Sequence, residues 1–143
     1  MTAGLSATIH ASCVSWHERG VLLAGPSGAG KSDLALRLIE AGAVLVADDL
    51  VAVSRDGKGL RARPVALPGL IELRGQGIYR MAYRPETPLD LCVRLGTDLP
   101  DRLPEPGATF TLLDAEIPAI DLDPRLPSAV ARLRLAVCGT RVH

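Results

Sequence analysis

The sequence predicts an α/β fold in which a phosphate-binding loop joins a buried strand to an amphipathic helix, within a mixed, partly antiparallel sheet. Three observations predict it. Residues 21–24 form a short, wholly apolar run that leads directly into Gly25-Pro26-Ser27-Gly28-Ala29-Gly30-Lys31-Ser32, a Gly-x-x-x-x-Gly-Lys-Ser pattern (P-loop, Walker A). From residue 31 to 41 the apolar period changes to that of a helix, with Leu34 above Leu38 and Ala35 above Ile39. Beyond residue 50 the chain alternates short apolar runs with turn residues, the pattern of antiparallel strands.

The elements follow in order. Residues 7–14 read as a first strand, and the polar stretch 15–20 as a tight connection or hairpin. Residues 21–24 suit a strand buried on both faces. In the helix, Asp33 and Arg37 are spaced for an i,i+4 pair, and Gly42 is a natural stop. Residues 43–47 read as a second buried strand that delivers Asp48 and Asp49 at its carboxyl end. Residues 51–54 and 60–63 flank a turn-rich tip and read as a hairpin. Residues 70–79 hold an apolar strand ending in a glycine-flanked turn, and 89–95 is a further strand. The stretch 98–107, with Pro100, Pro104 and Pro106, reads as loop. Residues 110–113 and 117–122 are strand or turn. Pro127 opens a last helix with Ala129, Val130, Leu133 and Val137 as its apolar stripe. No linker or repeat divides the chain, so residues 1–143 are expected to form one domain.

Bulk properties narrow the function classes. Hydrophobic residues make up 48% of the chain but only four are aromatic, so the core is aliphatic. Sixteen basic residues balance sixteen acidic ones, which leaves no net field for nucleic acid or an anionic membrane. Lys31 and Lys58 are the only lysines among many arginines, so a lysine inside the glycine loop has chemical weight. Cys13, Cys92 and Cys138 are odd in number and far apart, which predicts buried free thiols in a cytoplasmic protein. Neither a secretion signal nor a membrane-spanning run is expected.

The candidate site is built on the loop. Its glycines let backbone N–H groups turn towards phosphates, Lys31 reaches the β- and γ-phosphates, and the Ser32 hydroxyl suits Mg²⁺. Asp48 and Asp49 should face the same crevice, one to hold Mg²⁺ and the other to take a proton. His10, on the adjacent strand, either exchanges a proton there or is structural; His17 and His143 default to solvent. Glu72, set in an apolar run, is expected to be buried, and either pairs with an arginine or joins the metal sphere; Arg74 should emerge on the same side. Arg84, Arg94 and Arg102 could each clamp a phosphate or be surface charge.

These residues together resemble the C-terminal catalytic domain of the HPr kinase/phosphorylase family, in a short form without the separate N-terminal domain. The matching stretches are His10, fifteen residues before Gly25; GPSGAGKSDLALRLIEAGAVLVADD at 25–49; and LIELRGQGIYR at 70–80, similar to a family signature of a hydrophobic pair around Glu followed by Arg-Gly-x-Gly-Ile. The likeness is strong from His10 to Ile78, weaker to Arg102, and diffuse beyond. The resemblance implies an HPr kinase-like fold and a kinase that uses ATP and Mg²⁺ to phosphorylate a regulatory serine on the phosphocarrier protein HPr. In many members, phosphate drives the reverse reaction and yields pyrophosphate. It also implies that Asp48 is the catalytic acid/base, assisted by His10, that Asp49 and Glu72 lie with Ser32 near Mg²⁺, and that Arg102 contacts phosphate. A homo-oligomer, in full-length members a hexamer, is implied too.

This chain departs from the family pattern at Ala11, where Gly is common, at Pro26, where Asp is common, and at Asp33, where Glu is usual. Met81-Ala82-Tyr83-Arg84-Pro85 replaces a Gly/Ala-rich stretch. The C-terminal helices that help bind HPr in longer relatives are expected to be absent or altered. A kinase for another acceptor, and a nucleotide-sensing module without catalysis, are the competing readings.

Overall fold

The structure is a computed structural model that describes residues 6–97 and 108–142. Its first two strands, β1 (Ser6–Trp16) and β2 (Arg19–Ala24), form an antiparallel hairpin in register Ala11↔Ala24 to Trp16↔Arg19. The expected polar connection is thus shorter than 15–20. Strand β1 runs on through Trp16, and only His17 and Glu18, at φ 51° and 64°, make the turn. Two positive-φ residues match the twist of a two-residue hairpin loop.

Helix α1 (Lys31–Glu40) follows the glycine loop and buries Leu34, Ala35 and Leu38; Asp33 and Arg37 pair at 3.2 Å. Gly42, at φ 108°, ends it. Strands β3 (Val44–Ala47) and β4 (Leu50–Asp56) are two halves of one path along the same edge of β1, β3 against residues 13–15 and β4 against residues 6–10. The break between them is Asp48–Asp49.

Strands β4 and β5 (Gly59–Pro64) form the expected hairpin. Strands β6 (Leu70–Leu73) and β7 (Gly77–Arg80) form a separate two-stranded sheet. Strand β8 (Thr87–Leu95) lies parallel to β2 along one edge. Its other edge meets β5 at its start and β10 (Ala115–Leu122), in parallel, at its end. Strand β9 (Thr109–Leu112) completes the larger sheet beside β10. Helix α2 (Ala129–Cys138) follows, burying Ala129, Leu133 and Val137 as expected.

Because β8 pairs with both β5 and β2, the strands β2, β1, β4, β5 and β8 close on themselves. The closure explains two separate apolar clusters. Alternate side chains of β2 serve both: Leu22 joins Cys13, Val53, Ala62 and Cys92 inside the closed sheet, while Val21 and Leu23 join Leu34, Leu38 and Leu133 beneath the helices. Gly20 makes the β2–β8 contact possible, since a Cβ there would lie 1.8 Å from the Pro88 carbonyl oxygen. The free thiols divide: Cys13 and Cys92 are buried, but Cys138, on the outer face of α2, is exposed, contrary to expectation. Among the described residues, no helix is long and apolar enough to cross a membrane.

Candidate active site

The glycine loop leaves the carboxyl end of β2 and delivers the N-terminus of α1. Gly28 and Gly30 sit at φ 84° and 96°, conformations that side chains other than Gly rarely adopt. Gly30 caps α1 through its carbonyl, which accepts from Leu34 N–H at 2.9 Å, and among the described residues no side chain caps the helix. The remaining first-turn amides and the positive end of the helix suit an anion. Lys31 folds its amine back onto the Gly25 and Pro26 carbonyls, at 2.8 and 3.0 Å, and so holds a positive charge over the loop.

Asp48 ties the loop to the sheet. Its Oδ1 accepts from Ser32 Oγ at 2.6 Å and from Ser12 Oγ at 2.9 Å, and its Oδ2 accepts from the Glu72 backbone N–H at 3.0 Å. Three donors from β1, α1 and β6 therefore converge on one carboxylate. Asp49, the next residue, is exposed and has φ 69°. With Leu50 N–H bonded to the Asp48 carbonyl at 2.8 Å, it is the centre of a three-residue turn of the rare, strained γ type. That kink interrupts the β3–β4 path, leaving Asp48 bonded to its three donors and Asp49 exposed. Both line a cleft of about 140 Å³ whose far wall is residues 64–70.

His10 is exposed on β1, on the face shared with Ser12, Val14 and Trp16 by alternation. The β1–β2 register, continued by one residue, sets it opposite Gly25 at the loop entrance. Glu72 departs from expectation: it is exposed, and its backbone rather than its carboxylate meets Asp48. The reason is that β6–β7 is a detached hairpin with only one covered face, where Ile71 is the buried residue. Arg74 lies beyond β6, exposed in the turn. Arg84 pairs with Glu18 at 3.0 Å, and Arg94 donates to the Thr109 carbonyl at 2.6 Å. Arg102 and the expected 98–107 loop lie outside the described residues. Among the described residues, no three His, Cys, Asp or Glu side chains gather as a metal cluster.

Ser12 is the site residue that sequence reasoning missed. It is fully buried yet polar, at an inward position two residues after His10. A serine flanked on its own face by Val14 and Trp16 was the available signal.

Comparison with known proteins bears on this geometry. Residues 3–133 match the HPr Serine kinase C-terminal domain family. The HPr kinase/phosphorylase of Lactiplantibacillus plantarum is 36% identical, over 80% of this chain and 41% of its own length. That of Treponema pallidum is 34% identical, over 82% of this chain and 41% of its own. The chain thus spans about two-fifths of the length of these curated relatives. Among solved structures, the Hpr(Ser) kinase/phosphatase from Coxiella burnetii superposes with a TM-score of 0.75 at 27% identity, covering 93% of both chains. An α/β fold with a mixed sheet and, among the described residues, two helices, together with a family match over residues 3–133, place this protein in the HPr serine kinase C-terminal domain family.

Proposed function

We propose that this chain is the catalytic part of an ATP-dependent protein serine kinase acting on an HPr-like phosphocarrier protein, with a phosphate-dependent return reaction that yields pyrophosphate. The observation that carries the reading is the Asp48 carboxylate joined to Ser32 at the foot of the glycine loop. A loop serine beside a strand-end aspartate is the pair of oxygen donors that phosphate-loop enzymes offer to Mg²⁺, which also takes phosphate oxygens and water. These donors fit that ion, and a dense protein cage is not needed for it. Mg²⁺ bound with ATP supplies neutralisation of the developing charge on the phosphate oxygens.

The protein groups then divide the work. Loop residues 27–32, beyond Pro26 with its missing N–H, wrap the phosphates with backbone N–H groups, and Lys31 exchanges its two carbonyl partners for phosphate oxygens. Asp48, held by Ser12, Ser32 and Glu72 N–H, takes the metal side with Ser32. Asp49, exposed on the same cleft, is the better placed to receive the serine proton as the phosphoryl group moves in line. This exchanges the roles expected of the two aspartates from the sequence. His10, at the loop entrance, assists the proton acceptor, Glu72 supports the metal side through water, and Arg102 contacts phosphate. In reverse, a phosphate oxygen attacks phosphoserine, the bond from phosphorus to the serine oxygen breaks, and the same carboxyl group returns the proton.

A protein acceptor is favoured over a small molecule by the surface beside the cleft. The cleft shares Leu67, Pro68 and Leu70 with a neighbouring groove of about 450 Å³, bordered by Arg80 to Tyr83. Leu67 is 75% exposed, and Ile78 and Tyr79 nearby are also open to solvent. Exposed apolar side chains of this kind suit a protein partner, whether the acceptor or another subunit of a homo-oligomer. Two buried unpaired thiols accord with a cytoplasmic setting.

The test is transfer of label from γ-labelled ATP, with Mg²⁺, to the serine of HPr. Transfer is expected, and Lys31→Ala should abolish it; bound ATP without transfer would overturn the assignment. Asp49→Asn should stop transfer while ATP and Mg²⁺ still bind, whereas Asp48→Asn should raise the Mg²⁺ requirement.

A further inference from the structure

Strand β2 divides the candidate site into two sides. On one side lie β1 and the β3–β4 kink, with His10, Asp48 and Asp49. On the other lie β8 and then β10, both parallel to β2 and its neighbours in turn. All three parallel strands therefore end on the same edge, where ligands of α/β sheets sit. The ends of β8 and β10 flank the glycine loop closely. The position of a Cβ on Gly25 would be 3.2 Å from the Leu95 carbonyl oxygen, and that of a Cβ on Gly30 would be 3.6 Å from the Pro124 ring.

The turn after β10 is anchored on both sides. Arg37 of α1 donates to the Pro124 carbonyl at 2.5 Å. Asp123 Oδ1 accepts the Arg125 backbone N–H at 2.9 Å and Nε at 3.2 Å, and Oδ2 accepts Nη2 at 3.1 Å. The Arg125 guanidinium is thus held by one edge, while its side chain stays 70% exposed. A fork fixed by its edge leaves its two flat faces for stacking.

Ser32 and Asp48 mark the side of the loop that receives the terminal phosphate. A nucleotide laid across the loop must then carry its sugar and base out towards β8 and β10. We infer that the Asp123-Pro124-Arg125 turn is the purine subsite, with the Arg125 guanidinium as the stacking face for the base. The inference rests on the nucleotide-binding reading above. The subsite offers a face rather than a set of edge-directed donors and acceptors, so it holds adenine and guanine alike.

Binding of ATP, GTP and inorganic tripolyphosphate, each with Mg²⁺, to the full chain tests it. ATP and GTP should bind within about threefold of each other, as stacking does not read base edges. Arg125→Ala and Arg125→Lys should each weaken ATP about three- to fivefold, the size of one exposed stack of a planar guanidinium on a base, and leave tripolyphosphate unchanged. The lysine variant keeps the charge and loses the plane, so its failure to rescue identifies stacking. Lys31→Ala should weaken ATP and tripolyphosphate together. Equal losses of ATP and tripolyphosphate in Arg125→Ala would make Arg125 a phosphate contact, and unchanged ATP binding would remove it from the site; either overturns the subsite. ATP binding untouched by Lys31→Ala would instead overturn the nucleotide site itself.

Discussion

Asp49 stands at a strained backbone position next to the most heavily bonded carboxylate of the site. A non-glycine residue at φ 69° costs of order 1–3 kcal/mol, and such strain persists where neighbours impose it. Here the Leu50 N–H to Asp48 carbonyl bond and the Ala11 N–H to Asp49 carbonyl bond, at 2.8 and 3.1 Å, impose it. Asp49→Gly should relieve the strain at some cost in chain entropy, for a net gain of about 1 kcal/mol in urea unfolding, while phosphoryl transfer is lost. A destabilised Asp49→Gly protein would mean that the turn is relaxed in solution. Ser12 belongs to the same unit as a positioning residue. Ser12→Ala removes one of three donors to Asp48 and should cost about 1–2 kcal/mol in stability. It should also raise the Mg²⁺ concentration for half-maximal activity, which loss of packing alone would not do.

The β1–β2–β8 assembly sets the loop in place, and its weak point is Gly20. The Pro88 carbonyl occupies the space a side chain would need, and the Gly20 N–H donates to Asp90 Oδ2 at 2.9 Å. Gly20→Ala must push β8 away from β2, so we expect a loss of about 2–3 kcal/mol in thermal or urea unfolding. ATP affinity should fall as well, because Leu95 at the end of β8 backs Gly25. Stability close to wild type in Gly20→Ala would show that β8 does not press on β2 at Gly20. Helix α2 contributes differently: Arg134 lies 5.4 Å from the Trp16 ring centroid, and Trp16 Nε1 donates to the Ala41 carbonyl at 3.4 Å. These contacts tie both helices to the far end of β1, away from the chemistry.

For the molecule as a whole, the closed sheet sets a pH limit. Burial pushes the Cys92 thiol up to about 11 and Cys13 higher still. Both thiols ionise more readily in the unfolded chain, which binds fewer protons above the ordinary thiol value near 9. Stability from these groups is therefore complete below about pH 9 and declines as pH rises through the folded values, with a slope of at most about 1.4 kcal/mol per pH unit per thiol. Urea unfolding from pH 8 to 11 should show the decline, and Cys92→Ala should reduce it by about half, leaving the part due to Cys13. In the native protein a thiol reagent should modify Cys138 alone among the three cysteines, since Cys13 and Cys92 are enclosed.

What the sequence by itself determined is what short-range chemistry dictates. The run 21–24 into Gly25–Ser32 and the 3.6-residue period after it are local patterns, and β2, the loop and α1 follow them. The family was legible in His10, Asp48-Asp49 and Leu70-Ile71-Glu72-Leu73-Arg74-Gly75, because a site of this kind repeats residue types at fixed places in the chain. Only the tertiary structure decided which aspartate meets Ser32, that Ser12 supports it, and that Glu72 faces solvent. Each depends on a partner distant in sequence: Ser12, Ser32 and the Glu72 N–H meet Asp48 from three separate elements, and β6–β7 stands apart with a single covered face. The closure of β8 onto β2 is of the same kind. Alternation along a strand tells which side chains share a face, but not which strand lies beside it.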